Sequence, residues 1–346
     1  MSKIFVILFT MFFAVSSFCG TFTVGHDWVK TTGQKDTTQN TFSLKYGFEK
    51  AVSEDFSIGV ELGTGNNPRD YTLVLSNGAD AKDFDLRKAF VKYTPEIEGL
   101  DKLTFVGGKF ARPFMTASEL AWDHDLTFEG WGFQSAKEVE GNMVHFNGGA
   151  FVLDEFAATN EDPSLTVLQV GSMGTLEEFD WCVLFNHLSY SYVENHPQLA
   201  WAGNGNDLTA AGNYLNDYDA FELSGELVRP VGETHMGINF DYLKNYDTTD
   251  DAYLLGVNVG DVVVEEKGDW KVSVNYRRLE PDSVLAIMTD SDFHMGATNA
   301  KGYELAATYG VDENVAVDFD YIKSEDLFSN NKIENTLWRL ELVVEF

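Results

Sequence analysis

Hydrophobic and polar residues alternate with a period of two along most of this chain. In segment 40–50 the apolar members of the alternation are Phe42, Leu44, Tyr46 and Phe48. Segment 55–64 repeats the scheme after a short connection. A period of two is that of a β-strand whose two faces meet different environments. The two segments together therefore predict a β-hairpin.

Sixteen segments carry this strand pattern, and few stretches show helical spacing. They span residues 22–30, 40–50, 55–64, 84–93, 102–110, 131–139, 143–153, 164–172, 179–192, 219–228, 234–244, 252–261, 269–279, 302–310, 314–323 and 335–346. Short connections alternate with longer loops that are rich in Gly, Asn and Asp. This alternation is typical of an even-stranded outer-membrane barrel. We predict an all-β fold, a transmembrane antiparallel β-barrel of 16 strands, with 14 or 18 strands as alternatives.

The last predicted strand runs to the end of the chain. Its apolar stripe consists of Trp338, Leu340, Leu342, Val344 and Phe346. A bilayer that touches one face of a barrel strand accounts for such a stripe. A chain terminus in water would gain no stability from it. Segment 179–192 is the exception to the pattern, because its apolar parity changes midway. That change predicts a β-bulge or two separate elements.

The first residues have the features of a secretory signal peptide. A basic residue precedes an apolar run over residues 4–15, and small residues follow it. This run is too short to span a bilayer as a helix. Ser17 and Cys19 fit a small-x-small cleavage pattern. We therefore predict a cleaved signal peptide at residues 1–19 and a barrel over residues 20–346.

Composition narrows the class further. After the predicted cleavage only Cys182 remains, so the exported chain has no internal disulfide framework. Hydrophobic residues make up 44% of the chain and its mean hydropathy is -0.19, and no later segment has the apolar length of a transmembrane helix. The formal net charge is -31, from 24 basic and 55 acidic residues. This charge disfavours nucleic-acid binding.

The polar faces of the predicted strands carry many charged residues. They are Lys45, Glu49, Glu61, Lys88, Lys92, Glu222, Glu226, Asp241, Lys271, Arg277, Glu304, Asp318, Asp320, Arg339 and Glu341. A packed core would not tolerate these charges, and a barrel of sixteen strands is too wide for side chains to fill. The pattern predicts a passive aqueous pore. The excess of acids in this set favours a slight preference for cations, with an anion- or sugar-specific channel as the alternative.

Several longer stretches resemble the outer-membrane porins of Gram-negative bacteria, those related to general-diffusion and phosphate-type porins. The segments that carry the resemblance are "LRKAFVKYTP", "LTFVGGKFARPF", "AWDHDLTFEGWG", "YRRLEPDSVLAIMTDSDFHMGATNAKGYELAATYGV" and "LELVVEF". The resemblance implies a homotrimeric diffusion channel for small hydrophilic solutes and ions in the bacterial outer membrane, in contact with lipid and lipopolysaccharide. It also implies that Trp338 and Phe346 belong to the signal read by the barrel-assembly machinery.

In such porins the third long loop folds into the lumen and narrows it. Here that loop corresponds to residues 111–130, and its acids are Glu119, Asp123, Asp125 and Glu129. The resemblance implies that they face basic wall residues across the constriction, namely Lys88, Lys92, Arg277 and Arg339, which gives a transverse field. Lys109 and Arg112 are candidates for binding an anion instead. The alternative is that the acids cap a short turn or lie exposed.

Other kinds of site lack the residues they need. The stretch "TDSDFHMG" lacks the glycine and the glutamate of an EF-hand, although Asp290 and Asp292 could hold divalent ions against lipopolysaccharide. No His-Glu-x-x-His, Cys-His or Gly-x-Ser-x-Gly spacing occurs. The sequence also gives no indication that a Ser, a His and an acid lie together as a catalytic group. We expect no metal, no cofactor and no catalysis. A barrel enzyme or a soluble propeller has less support, since blade repeats are lacking.

Overall fold

In a computed structural model of the chain, sixteen long antiparallel strands close into one barrel. The structure describes residues 18–65, 67–75, 78, 81–155, 161–200, 202, 205–329 and 332–346. The strands are β1 (Phe18–Thr31), β2 (Thr37–Ala51), β3 (Phe56–Thr64), β4 (Leu73–Val74), β5 (Phe84–Tyr93), β6 (Lys102–Ala111), β7 (Thr127–Val139), β8 (Asn142–Val152), β9 (Ser164–Leu176), β10 (Phe179–Ser191), β11 (Ala220–Val231), β12 (Thr234–Asn245), β13 (Asp251–Gly260), β14 (Trp270–Leu279), β15 (Ala300–Asp312), β16 (Val315–Asp326) and β17 (Glu334–Glu345). The two-residue strand β4 lies in a loop and pairs, within the described residues, with β2 alone, so it is not one of the sixteen barrel strands.

The longest connections of the barrel all lie on one of its two rims. The rim that carries both strand termini, here called the short-turn rim, has connections 52–55, 94–101, 140–141, 177–178, 232–233, 261–269 and 313–314. The opposite rim, the long-loop rim, has connections 32–36, 65–83, 112–126, 153–163, 192–219, 246–250, 280–299 and 327–333. The predicted sixteen-stranded barrel is confirmed. Within the described ranges, no helix is both long and apolar enough to cross a membrane.

The first and last strands close the barrel. β1 pairs with β2 on one side and with β17 on the other. The Gly20 amide donates to the Phe346 carbonyl at 2.8 Å, and the Phe346 amide donates to the Gly20 carbonyl at 3.0 Å. A Cβ atom at Gly20 would lie 2.6 Å from the Phe346 ring, so only glycine lets that ring rest on β1. The last apolar stripe of the sequence is thus one side of the closing seam.

Two girdles of aromatic residues surround the outer face. Near the long-loop rim, Trp338 packs on Tyr321 with ring centroids 4.3 Å apart, and Tyr276 packs on Tyr303 at 5.0 Å. Near the short-turn rim, the ring of Phe56 stacks on that of Tyr93 at 4.6 Å. Such girdles mark the two edges of the apolar band in outer-membrane barrels.

Strand β10 runs without a break, although the change of parity predicted a bulge or two elements. Its pairing with β9 keeps one register throughout. Val183 and Phe185 point outward and are exposed, whereas Leu188 and Tyr190 point inward and are buried. The parity changes because the inner wall is apolar near the long-loop rim. That prediction was wrong, and the register shifts lie elsewhere, in the β3–β5 and β15–β16 pairings.

The hydrophobic core lies inside the long-loop half of the barrel. Residues of connections 112–126, 192–219 and 280–299 turn inward and pack on the inner wall. The largest buried apolar side chains of these connections are Trp122, Tyr214, Tyr218 and Phe293. The sequence analysis expected water and charges throughout the interior. The structure instead divides the interior into an apolar sector and an open lumen beside it.

Candidate functional site: the narrowed lumen

A cavity of about 300 Å³ lies between the inward loops and the inner wall formed by β1, β2 and β15 to β17. We call it the narrowed lumen. Its acidic lining residues are Asp70, Glu119, Asp123, Asp125, Asp290, Asp292, Glu304, Asp318, Asp320 and Glu341. Its basic lining residues are Lys45, Arg69 and Arg339, together with His124. Ten carboxyl groups thus face three ammonium or guanidinium groups and one imidazole, so acidic groups outnumber basic groups in the cavity.

The constriction loop spans residues 112–126 and enters the barrel because its apolar residues join the interior core. Trp122 is fully buried. Its Nε1 donates to Glu222 Oε2 on β11 at 2.8 Å. Ser118 Oγ donates to Asp241 Oδ2 on β12 at 2.7 Å. Packing and polar contacts such as these therefore hold this loop against the wall opposite the narrowed lumen.

The tip of the constriction loop is a small network of charges. His124 Nδ1 lies 2.6 Å from Glu119 Oε1, and Lys45 Nζ on β2 lies 2.5 Å from Asp125 Oδ1. Burial alone would raise the pKa of Glu119, but the hydrogen bond and charge of His124 lower it to about 2. Burial would lower the pKa of His124, but the Glu119 hydrogen bond and the charges of Asp125 and Glu119 raise it to about 10. His124 is therefore a cation at neutral pH, paired with Glu119.

Asp123 is an acid of the constriction loop whose pKa is raised towards neutral pH. Burial raises the pKa of Asp123 to about 6, and the nearby Glu119 contributes to the rise. The backbone amides of Asp125 and Ser291 each donate to its carboxylate at 2.8 Å and oppose the rise. Asp123 is therefore charged at pH 7 and mostly neutral at pH 5.

This titration predicts a pH-dependent selectivity. As the pH falls from 7 to 5 we expect the cation preference of the channel to weaken, because Asp123 and other acids of the lumen gain protons while Glu119 and His124 keep their charges. The measurement is the reversal potential under a salt gradient at both pH values. The Asp123→Asn variant is expected to show a smaller change with pH. An equal change in the variant would assign the effect to other groups.

Glu119, Asp123 and His124 each place one potential ligand atom within 4.8 Å of the others. Hydrogen bonds already engage these groups: Glu119 with His124, and both oxygens of Asp123 with backbone amides. The donor set suits a small cation in chemical type. The hydrogen bonds just described account for the short distances between these three groups.

The structure places Arg277 away from the open lumen. Its side chain is 1% exposed and pairs with Asp290 on connection 280–299 at 2.7 Å, and with Glu304 on β15. The guanidinium lies over the ring of Phe293, 4.6 Å from the ring centroid. Arg277 therefore does not face solute as predicted. It anchors residues 280–299, which we call the second inward loop.

Arg339 does line the narrowed lumen. It pairs with Asp27 on β1 at 3.1 Å and with Asp292 on the second inward loop at 2.5 Å. Asp290 and Asp292 thus lie inside the barrel and pair with arginines, which contradicts their suggested contact with lipopolysaccharide. Sequence reasoning missed that this loop lines the pore. The signal was its apolar run "VLAIM", which is unusual for a loop in water.

Lys88 and Lys92 on β5 point into the barrel, but their partners differ from those expected. Lys88 pairs with Glu61 on β3 at 2.8 Å, and Lys92 pairs with Glu49 on β2 at 2.6 Å. These acids belong to the neighbouring wall and not to the constriction loop. These two lysines are therefore neutralised along the wall.

Arg112 is committed to the backbone of its own loop. Its Nη1 donates to the carbonyls of Trp122 at 3.2 Å and Asp123 at 2.7 Å. Burial lowers the pKa of Arg112. The guanidinium stabilises the fold of the constriction loop and lies outside the lining of the narrowed lumen, which does not agree with its predicted role as an anion ligand.

Lys109 and Glu129 lie on the outer face, so their assignment to the pore lining was wrong. They are directly paired across β6 and β7, with 2.7 Å between Nζ and Oε1. They share strand parity with Phe105 and Trp131, which are exposed. The error arose because β7 begins at Thr127, so Glu129 belongs to a strand and not to the loop.

A serine, a histidine and an acid do converge, contrary to expectation. His294 Nδ1 lies 2.9 Å from Ser324 Oγ, and His294 Nε2 lies 2.9 Å from Asp326 Oδ1. Ser324 is 2% exposed and His294 4%. His294 and Met295 have φ values of +51° and +58°, so the turn is strained. This chain of hydrogen bonds fixes the strained turn to β16, and its burial suits anchoring better than catalysis.

A closed barrel with a charged, loop-narrowed lumen is the architecture of channel-forming outer-membrane proteins. The model of the family described as "Putative porin" matches residues 22–184 and 206–346. The chain belongs to this family. Family and fold indicate a channel of the bacterial outer membrane rather than an enzyme.

Solved structures agree with this porin in fold. OprB of Pseudomonas putida superposes with a TM-score of 0.63 at 8% identity, over 96% of this chain and 94% of that one. A loop-deletion mutant of OmpT, an outer membrane protein of Vibrio cholerae, gives a TM-score of 0.51 at 11% identity, over 96% and 99%. At these identities the likeness extends to the fold alone. No curated protein sequence matches the chain.

Proposed function

We propose that this porin is a water-filled channel for passive diffusion of small hydrophilic solutes and ions, with a preference for cations. The observation that carries the proposal is the lining of the narrowed lumen, where ten acidic residues face three lysine or arginine residues and one histidine. A cleft lined by one sign of charge concentrates ions of the opposite sign. The candidates for anion binding, Lys109 and Arg112, lie outside this lining. The anion-specific alternative is therefore less well supported.

The test is planar-bilayer recording of the detergent-refolded protein under a potassium chloride gradient. We expect stepwise openings and a reversal potential of the sign set by potassium. A reversal potential set by chloride would contradict the cation preference. A folded barrel without conductance would contradict the open channel itself.

Neutralising the acids of β16 should reduce the preference. In the double variant Asp318→Asn and Asp320→Asn we expect the potassium-to-chloride permeability ratio to fall about twofold, because two of the ten lumen carboxylates are lost. The matched control is Asp312→Asn with Glu313→Gln, which removes two charges from the exposed turn region after β15, outside the lumen. An equal effect of the control would assign selectivity to the overall charge of the protein.

We further propose that residues 1–19 are a cleaved signal peptide and that Trp338 and Phe346 take part in recognition by the assembly machinery. Residues 1–17 lie outside the described part of the chain. Cleavage before Gly20 would preserve the backbone pair between Gly20 and Phe346 at the barrel seam. The mass of the protein isolated from outer membranes tests the cleavage site, since retention of residues 1–19 would contradict it.

A trimer is supported by one patch of the outer face. The Lys109–Glu129 pair lies four positions from Phe105 along β6, towards the long-loop rim. On β15, Tyr303 of the girdle near the long-loop rim and the exposed Tyr309 near the short-turn rim are six positions apart. Four positions are fewer than six, so the Lys109–Glu129 pair lies between the two girdles, within the apolar band. Lipid disfavours charge in this band. Trp131 beside it is 72% exposed. A second copy of the chain would cover both.

Reversing one charge of this patch should weaken the oligomer. In Lys109→Glu we expect partial or complete conversion of trimer to monomer, measured by native mass spectrometry in detergent, because two acids would then face each other within the interface. The exchange of both charges, Lys109→Glu with Glu129→Lys, should restore much of the trimer. Lys301→Glu, at the rim beyond Tyr303, is the control. A monomeric wild-type protein would contradict the proposed trimer.

A further inference from the structure

On one side of the barrel, basic residues lie just beyond the outer aromatic girdle, towards the long-loop rim. They occur on five of the seven neighbouring strands that run from β12 through β17 to β1. Residues two positions apart on a strand share a face, so each basic side chain points outward like the aromatic residue before it. We call the five basic residues the basic belt. The aromatic and basic residues of each strand are Tyr242 and Lys244, Tyr276 and Arg278, Tyr303 and Lys301, Tyr321 and Lys323, and Trp28 and Lys30.

The position of the basic belt around the barrel is specific. The chain has only 24 basic residues against 55 acidic ones, so composition does not account for it. The last outward residues of β8 and β9 before the long-loop rim are Val152 and Ser164, which are uncharged. The middle of the belt, β14 and β15, lies eight barrel strands from β6 and β7 and thus on the opposite side. The belt therefore faces lipid even when a second copy covers the Lys109–Glu129 pair.

A groove of about 290 Å³ lies at the middle of the basic belt. Tyr276 and Tyr303 line it with ring centroids 5.0 Å apart. Lys301 and Lys323 line it as well. Lys323 is directly opposite Tyr303 on the neighbouring strand, and Lys301 is two positions from Tyr303 on the same strand. Two lysines therefore flank one exposed tyrosine ring.

The two lysines of the groove are accessible to an anion. Among the described residues, Lys323 has no ion pair. Lys301 Nζ lies 3.1 Å from Glu325 Oε1, and Lys332 Nζ lies 2.9 Å from the same oxygen. One acid thus serves two lysines, and such exposed ion pairs are weak. An incoming anion can replace Glu325 at Lys301, because Lys332 still neutralises that acid.

The groove suits a ligand that combines an anionic group with acyl chains. Aromatic girdles lie at the boundary between the apolar band and the lipid headgroups, and two positions along a strand add about 7 Å. The lysines therefore lie at the depth of the headgroups. On the bilayer side of the tyrosines, Val274 and Leu305 are directly opposite each other on β14 and β15, and Val274 is 49% exposed. A lipid uses both surfaces, whereas free phosphate would use the lysines alone.

We propose that Lys301 and Lys323 bind a phosphate group of lipopolysaccharide, with the acyl chains of its lipid A lying along β14 and β15. The long loops of outer-membrane barrels are extracellular, so the basic belt lies in the outer leaflet, where lipopolysaccharide carries phosphate. Clusters of Lys and Arg at a membrane surface attract anionic headgroups. The proposal rests on the outer-membrane location and is independent of what the channel conducts.

The test is native mass spectrometry of the whole refolded barrel in detergent, titrated with lipid A that carries two phosphates. In the double variant Lys301→Gln and Lys323→Gln we expect the affinity to fall about tenfold, because each lysine contributes to headgroup attraction. Lys301→Arg with Lys323→Arg keeps both charges and should bind like the wild type. The matched control is Lys50→Gln with Lys137→Gln, which removes two exposed lysines near the short-turn rim and should also leave binding unchanged.

Three outcomes would overturn the proposal. The first is an equal loss of affinity in the Lys50 and Lys137 control, which would assign binding to overall charge. The second is equally tight binding of lipid A without its phosphates. The third is displacement of lipid A by inorganic phosphate at the same concentration, which would assign the groove to the free ion. Bilayer recording checks that each variant folds, since these lysines lie outside the lumen and wild-type conductance is expected.

Discussion

The Arg277→Leu variant is expected to unfold with a free energy about 3–5 kcal/mol lower than that of the wild type. Arg277 is buried between Asp290 and Glu304, and its removal leaves both acids inside the barrel without their cation. The same change should free the second inward loop from β14 and raise the single-channel conductance. Denaturant titration of the refolded barrel and bilayer recording measure the two effects.

Arg278, the residue that follows Arg277, offers a matched control. Arg278 also has two acidic partners, Asp251 at 3.1 Å and Glu280 at 2.7 Å, but it lies on the outer face near the long-loop rim and is 22% exposed. Exposed ion pairs contribute about 0–1 kcal/mol, so Arg278→Leu should cost little stability and leave the conductance unchanged. Similar losses in the two variants would mean that burial of the Arg277 pair is unimportant. Wild-type conductance in Arg277→Leu would show that other contacts hold the loop.

The outer face could be predicted from sequence because the bilayer imposes one simple rule on it. Every outward position between the girdles must suit lipid, so a strict period of two survives in strands such as β14 and β17. The same rule accounts for the apolar stripe that ends at Phe346. The sixteen strands therefore followed from local pattern alone.

The interior could not be predicted in the same way, because inward positions serve two different environments. Near the short-turn rim they meet water and carry charge, as Glu49 and Lys92 do. Near the long-loop rim they meet the inward loops, so Leu188 and Tyr190 are apolar although they face the axis. The parity of β10 seemed broken for this reason.

The partners of the charged residues are set by contacts between distant segments. Arg339 meets Asp27 and Asp292, which are 312 and 47 positions away along the chain. Spacing within one segment gives no information about such pairs. The residue types at the constriction could be proposed from sequence, but whether Arg277 or Arg339 faces solute depends on how the second inward loop folds.

The Trp122→Ala variant should open the lumen more than any single change of charge. Trp122 packs on Phe114 and Phe128 with ring centroids 4.8 and 6.2 Å away and is fully buried. Its removal should cost about 3–5 kcal/mol, because a large cavity forms within the interior core. It also removes the hydrogen bond from Nε1 to Glu222, so the constriction loop loses packing and tether together.

Trp122→Phe separates these two contributions. It keeps most of the apolar contact and loses only the hydrogen bond to the buried Glu222, which should cost about 1–3 kcal/mol with a smaller rise in conductance. Trp28→Ala on the outer girdle, where the side chain is 41% exposed, should leave the conductance at the wild-type level. If Trp122→Ala destabilises the barrel without widening the channel, the constriction loop keeps its place through its other wall contacts, such as Ser118 with Asp241 and Met115 with Gln169. If the conductance rises in Trp122→Ala alone, it is the packed indole that sets the width of the pore.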